Sequence, residues 1–547
     1  MTLRNMLFAA LLLYSSAVVA QRTEYPLIGA QVFIEPGQTP EQIDGFFATM
    51  KSSGMEVGRI RMFGVHMLRD GKWDFTLYDR AFDAARRNGV RLFATLFPPT
   101  DELTDVGGFK FPHSKAHLNE VADYIKAVVT HFKGHPALYC WVLQNEPGTG
   151  GVRVKPADLS REKFAEWKAL QKPSAYNDGY LKADFTDEKF LVWYTDWYLR
   201  WIAGQVDRYD KGSFKHVNPH QILSTLPEYD FTAYHSFLTS LGASMHMSWH
   251  FGWFTKAQYP LGVSVMADII REGAAGNPFW ITELQGGNVT ASGEVPYCPT
   301  GGEIAQYLWT GIGAGSQGVV FWTLNPRASV MEAGEWAMID FQGRPSDRLQ
   351  AATAVIGKVK ENAAFFRDAQ PVLPAVTLLY NVESMRIQRR NAGLIKDAQD
   401  EGRMAGAPMK SLVAAYEAIS ALGVAPQIAS MERFDWEHPA GQVAVLADMV
   451  SLPSYYWDRI RAFVRGGGKL IVTGLSGFYD ENMRCLFMGG FPLADCFGGN
   501  VAEFKVVAPR FDLPLSDPAL TLPAHLWRGT LAPRTWSTAT PPSTAPR

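Results

Sequence analysis

Two glutamates each close an apolar run. Glu146 ends Tyr139-Cys-Trp-Val-Leu-Gln-Asn-Glu146, just before Pro147-Gly148, and Glu283 ends Pro278-Phe-Trp-Ile-Thr-Glu283. A carboxylate at the C-terminal end of a buried strand sits where parallel α/β folds place their chemistry. Two such carboxylates are what glycosidic cleavage requires, one to deliver a proton and one to act as nucleophile or base. A proton donor at neutral pH needs an apolar setting or a neighbouring charge to raise its pKa. Asn145, beside Glu146, is placed to hold a substrate hydroxyl. Each glutamate alone has a structural alternative, a turn after a buried strand or an ion pair at a rim. Both at strand ends of one barrel is a less frequent accident, and the pattern points to a secreted sugar-cleaving enzyme.

The elements that must position this pair follow from hydrophobic patterning. Between about residues 25 and 365, short apolar runs alternate with helical stretches, as in a parallel α/β fold. Eight strands are expected: Leu27–Phe33, Val57–Phe63, Arg91–Phe97, Tyr139–Gln144, Gln221–Leu226, Met247–Phe254, Phe279–Glu283 and Gly318–Leu324. Their near-continuous hydrophobicity suits strands covered on both faces. The first helix has Thr39 as N-cap, Pro40 at its first position and Gln42 to complete a capping box. This is the plan of a (β/α)8 TIM barrel, with the two glutamates after its fourth and seventh strands.

A second α/β unit begins near Pro371, with strands at Ala375–Tyr380, Gln442–Leu446 and Lys469–Thr473 and helices around 411–422 and 455–464. It reads as a small flavodoxin-like domain. Gly474-Leu-Ser-Gly477 there resembles a nucleophile elbow only loosely. The expected division is a signal peptide at 1–20, a catalytic barrel at 21–368, the second domain at 369–500 and a C-terminal segment at 501–547. The Pro/Ser/Thr-rich stretch Thr535–Arg547 is expected to be disordered.

Composition narrows the function classes. At 547 residues, 47% hydrophobic and 19% charged, the chain is ordinary globular material for two or more domains. A formal net charge of −2 argues against nucleic acid or an anionic membrane as the main partner. Aromatic content of 13%, with 16 Trp, offers stacking surfaces for sugar rings as well as core. Arg4, the apolar run 6–13 and Val18-Val-Ala20 form a secretory signal cut near Ala20, implying a secreted or periplasmic protein. The four cysteines form no C-x-x-C pair, which argues against a zinc ribbon, and no metal or cofactor is expected. Cys140 reads as buried filler, and Cys485 with Cys496 as a possible disulfide.

Several stretches carry a family resemblance: Arg59-Ile-Arg-Met-Phe63, Trp73-Asp-Phe-Thr-Leu-Tyr-Asp79, His135-Pro-Ala-Leu138, Asp340-Phe-Gln-Gly-Arg-Pro345, Gly466-Gly-Gly-Lys-Leu-Ile-Val-Thr-Gly474 and Gly489-Gly-Phe-Pro492. With the two glutamates, the chain resembles glycoside hydrolase family 42, β-galactosidases whose barrel is followed by a trimerisation domain. The resemblance implies Glu146 as proton donor and Glu283 as nucleophile. It makes Asn145 and Arg59 orienting groups and Glu332 a holder of sugar hydroxyls, in a homotrimer. A structural alternative for Arg59 is a barrel-interior ion pair. The chain also resembles family 164, β-mannosidases of the same plan.

Departures fall in the hydroxyl-reading shell. The family's Trp that packs on galactose is replaced by Ala291, and its His by Glu335. Its sugar-binding Arg after the third strand has only Lys110 or His113 as stand-ins, and its zinc-binding cysteines are missing. Trp322, at the end of the eighth strand, is a candidate sugar platform, with core filling as the alternative. His246 and His250 have metal-like spacing but fall in an expected strand. Trp249 and His250 are instead candidate pocket-lining residues, and Glu335 a hydrogen-bond acceptor or a solvated loop residue. A carbohydrate is the expected partner. A non-catalytic glycan-binding protein on the same scaffold is the competing class.

Overall fold

Eight parallel strands wind into a barrel in this computed structural model: β1 Leu27–Gln31, β2 Val57–Phe63, β3 Arg91–Phe97, β4 Leu138–Asn145, β5 Lys215–Asn218, β6 Leu241–Met245, β7 Phe279–Gln285 and β8 Gly318–Trp322. The described residues are 23–99, 111–112, 114–148, 158–171, 176–392, 405–514 and 521–533. The expected signal sequence, Lys110, His113 and the tail after Pro533 lie outside them. The sheet runs β6-β7-β8-β1-β2-β3-β4-β5. Backbone bonds from Ser244 N to Pro219 O (3.0 Å) and Thr239 N to Lys215 O (3.0 Å) link the remaining edge, between β5 and β6.

Helices α1 Pro40–Ser52, α2 Thr76–Arg87, α3 Lys115–Phe132, α4 Thr186–Tyr209, α5 Tyr259–Ala274, α6 Gly301–Gly313 and α7 Asp347–Glu361 follow all strands but β5, which is followed by short turns. The α1 capping box forms as expected, with Thr39 accepting from Gln42 N.

Six strands lie close to where the apolar pattern puts them; two do not. Gln221–Leu226 is a short helix, Ile222–Thr225, entered through Gln221 at φ 49°. The fifth strand lies just before it, in a polar stretch. Lys215 pairs with Asp207 at 2.6 Å, and His216 meets Ser240 and Thr282 at 2.9 Å each. Hydrophobicity cannot find a strand whose buried side chains are polar and satisfied. Met247–Phe254 likewise opens as a helical turn, Met247–His250, and the sixth strand is Leu-Gly-Ala-Ser-Met. Its small residues are required: a Cβ on Gly242 would lie 1.8 Å from Thr282 Oγ1.

The barrel interior is layered. Leu27, Val57, Phe93, Cys140, Val142, Trp280 and Val320 fill its N-terminal half. Truncating one of the large ones to Ala would cost about 3–5 kcal/mol. Polar residues take the C-terminal half. The ladders slip there, between Val142 and Asn145, Ala243 and Ser244, and Ile281 and Leu284. Bulges of this kind re-aim side chains, and here they sit beside Asn145, Ser244 and Glu283.

The chain divides into two compact units, residues 1–173 with 185–372, and 174–184 with 373–547. The second holds a parallel sheet ordered β10-β9-β11-β12, from β9 Val376–Tyr380, β10 Gln427–Ser430, β11 Val443–Ala447 and β12 Lys469–Thr473. Gln427–Ser430 is a strand that the sequence reading did not anticipate. Leu379, Leu446, Ile460 and Phe463 belong to its core. A long hairpin, Gly499–Pro514 with Thr521–Pro533, closes the described chain. Cys485 and Cys496 are free thiols, and the disulfide that the sequence left open does not form. Cys485 sits in a β-bridge with Tyr479, and Cys496 in the turn Ala494–Phe497. Cys140 is buried as expected. Among the described residues, no helix is long and apolar enough to cross a membrane.

Candidate active site

The C-terminal end of β7 presents Glu283 inside the barrel, 2% exposed. Arg59, from β2, donates a hydrogen bond to Glu283 Oε1. Its other guanidinium nitrogens reach Thr95 Oγ1 at 2.8 Å, Asn145 Oδ1 at 2.6 Å and Asn218 Oδ1 at 3.3 Å. Asn218 Nδ2 donates to the same Glu283 oxygen at 3.2 Å, and His246 Nε2 lies 3.1 Å from Oε2. Burial by itself would raise the Glu283 pKa. Arg59, the His246 hydrogen bond and Arg61 outweigh it and hold the carboxylate well below its usual range.

Glu146 follows β4 at φ 44°, a left-handed conformation uncommon for a non-glycine residue and often found at functional sites. Its backbone N–H points to Asn218 Oδ1 at 3.4 Å, and Asn145 Nδ2 donates to its carboxylate at 3.4 Å. No arginine hydrogen-bonds to it among the described residues. Burial, then the Glu283 charge, push its pKa up to about 7. One oxygen of each glutamate and a His246 ring nitrogen all lie within 4.8 Å of one another. These three groups have the spacing of a metal triad. The arginines beside Glu283 set their positive charge against a dication, and the donors serve a proton-transfer pair better.

The other expected residues divide. Trp322 is fully buried, edge-on to Phe33 at 5.1 Å and beneath the Arg61 guanidinium at 4.1 Å. Glu332, at φ 70°, lies 3.9 Å from Arg327, and burial raises its pKa to about 7. Trp249 packs on the cluster of Phe33, Val289, Trp322 and Trp336. His250 stacks on His246 at 5.4 Å, its Nδ1 accepts from His246 N at 3.0 Å, and burial holds it neutral. Glu335 directs its carboxylate oxygens at a neighbouring loop. It accepts from the backbone N–H groups of Thr290 (2.6 Å), Ala291 (2.8 Å) and Ser292 (3.0 Å), tying down the loop that holds Ala291. Gly287 lets that loop approach, since a Cβ there would lie 2.3 Å from Ala337 O.

Sequence reasoning missed Asn218, His246 and Arg61 as site residues. Asn218 lies in the polar strand that no apolar pattern marks. Arg61 was legible, because Arg59-Ile-Arg61 on a strand puts both arginines on one face.

A neutral carboxyl facing an ionised carboxylate, both at strand ends of a (β/α)8 barrel, defines a glycoside hydrolase. The comparisons with known proteins say which kind. Two family models match in series, one described as β-galactosidase over residues 208–362 and one as β-galactosidase trimerisation domain over 375–541. The chain belongs to this family, glycoside hydrolase family 42.

The β-galactosidase BbgII of Bifidobacterium bifidum is 21% identical over 521 residues, covering 86% of this chain and 73% of its own. The β-galactosidase Pbg of Clostridium perfringens is 21% identical over 493 residues, covering 81% and 69%. Among solved structures, the β-galactosidase of Bacillus circulans sp. alkalophilus matches with TM-score 0.76 at 14% identity, over 94% of this chain and 81% of its own. The exo-β-1,4-mannosidase Op5Man5 of Opitutaceae bacterium strain TAV5 matches at TM-score 0.62 and 14% identity, over 93% and 86%. The family models and curated relatives do not support the β-mannosidase alternative.

Proposed function

We propose that the protein is a retaining exo-β-glycosidase of the β-galactosidase type, with Glu146 as acid/base and Glu283 as nucleophile. The observation that carries this is the geometry of two glutamates whose oxygens approach within 4.8 Å. One is hydrogen-bonded by Arg59, which favours its ionised form; the other has no arginine hydrogen bond among the described residues, and its pKa is raised by burial. That approach favours the carboxyl spacing of retaining enzymes, about 5–5.5 Å, over that of inverting ones, about 6.5–9.5 Å. Glu283 attacks the anomeric carbon as Glu146 gives its proton to the departing glycosidic oxygen. In the second half, Glu146 takes a proton from water, and the resulting hydroxide displaces Glu283 from the sugar. Arg59 and Asn218 keep the nucleophile ionised, and Asn145 is placed to hold the sugar 2-hydroxyl. The family relatives support a β-galactoside as the sugar class.

The test is a panel of p-nitrophenyl β-glycosides (galactoside, glucoside, mannoside, fucoside, arabinoside), with NMR of the first-formed product. Turnover of at least one with the β-anomer appearing first is expected. An α-anomer first, or no turnover of any, defeats the reading.

We further propose export with cleavage after Ala20, supported by the charged, apolar and small-residue order of the N-terminus. N-terminal sequencing of the natural protein should start at Gln21. A homotrimer is proposed from the trimerisation-domain match, and light scattering giving a monomer would refute it.

A further inference from the structure

Arg61 is a buried cation that helps keep Glu283 ionised by its charge but makes no hydrogen bond to it. It lies on β2 two residues beyond Arg59, its side chain 7% exposed. The guanidinium stacks 4.1 Å over Trp322 and 5.1 Å from the Phe97 ring centre. Its nearest anion is Glu283 Oε1 at 3.9 Å, beyond hydrogen-bond reach. That oxygen already accepts from Arg59 and Asn218. Nε is buried without a hydrogen-bond partner among the described residues. Burying charged donors with no acceptor is costly, so such groups mark strain, an ion or a ligand.

The charges around it point the same way. Arg327, held by Met331 O at 3.0 Å, lies 3.9 Å from Glu332. Burial raises both Glu332 and Glu146 to about 7, so neither is a full counter-charge near neutrality. His66 and His220, on neighbouring elements, are held neutral by burial. Beside Glu283, two guanidiniums, those of Arg59 and Arg61, then face one fully ionised carboxylate. A neutral sugar leaves that surplus in place. A sugar carrying its own carboxylate cancels part of it and offers two oxygens to a planar fork of donors.

We propose that Arg61 is the anion-reading group of this pocket and that the preferred substrate is a β-linked hexuronide, its ring carboxylate received by Arg61. The inference rests on the glycosidase reading above and sharpens its substrate class.

The experiment compares kcat/KM of the full-length protein for p-nitrophenyl β-D-galacturonide, β-D-glucuronide and β-D-galactoside. In parallel, calorimetry measures the affinity of free galacturonate against galactose. One uronide should exceed the galactoside by about 10- to 100-fold, the worth of a charge-assisted hydrogen bond, and galacturonate should bind more tightly than galactose. In Arg61→Met the uronide-to-galactoside ratio should fall by a similar factor, with Arg61→Lys intermediate.

A galactoside preferred over both uronides, with galacturonate bound no better than galactose, overturns the proposal and leaves the glycosidase reading standing. Equal losses on both substrates in Arg61→Met also overturn it, reducing Arg61 to a support for Glu283. If that variant does not fold, or no glycoside is turned over, the two sugar affinities of the unaltered protein decide.

Discussion

The chain contains two parallel sheets, and both gather polar residues at the C-terminal ends of their strands. In the second unit these groups are spent on backbone. Asn381, after β9, accepts from Ser384 N at 2.7 Å and donates to Ser451 O at 2.9 Å. Ser476 bonds to Thr473 O at 2.7 Å and to Met449 N at 2.9 Å, so the elbow-like Gly474-Leu-Ser-Gly477 is a structural turn. Asp448 accepts from Leu475 N at 2.9 Å. In the barrel, Arg59, Asn145, Asn218, His246 and Glu283 bond chiefly to one another's side chains. Polar groups that satisfy loops hold a shape. Polar groups that converge on two carboxylates set protonation states, which is what acid–base chemistry requires.

Substitutions can break or sharpen this contrast. The largest effect is expected at Glu283, where Glu283→Gln should keep the fold but lose about 10³-fold or more in kcat, as for one member of a catalytic unit. Near-normal turnover would remove Glu283 from the role. Glu146→Gln should cost about 10²-fold or more on glycosides with poor leaving groups, the usual range for general acid catalysis. Because Glu146 works as an acid while protonated, wild-type kcat/KM should decline as pH rises through about 7 and the variant should lose that limb. An unchanged alkaline limb in the variant would assign it to another group.

A smaller loss, about tenfold, is expected for Asn218→Ala, which removes one donor to Glu283. With the ionised nucleophile less supported, the acid limb of the profile should move to higher pH, and an unmoved limb would count against Asn218 as a positioning residue. Asn381→Ala tests the other side of the comparison. It should lower stability by about 1–3 kcal/mol in denaturant melts, the cost of leaving buried backbone groups unpaired, while kcat/KM per folded molecule stays the same. A selective loss of activity there would mean that the second unit takes part in the chemistry.

Much of the frame was legible from the chain. Strands such as Val57–Phe63 and Arg91–Phe97 match residue for residue, because their apolar runs are flanked by clear turns. The fifth and sixth strands were not legible, since one is polar and the other is made of small residues. The backbone contacts of Glu335 and His250 were not legible for a related reason: a side chain's type does not say whether the backbone will claim its hydrogen-bonding atoms.

The amino-acid order by itself determined the barrel, the second α/β unit and the two strand-end glutamates, because hydrophobic period and strand termini are local properties. It could not assign their opposite proton affinities. Arg59 and Glu283 are 224 positions apart, and Asn218 comes from a strand with no apolar signature. Only closure of the barrel puts two arginines beside one carboxylate and leaves the other, among the described residues, without an arginine hydrogen bond, and Coulomb energy depends on distance in space rather than along the chain.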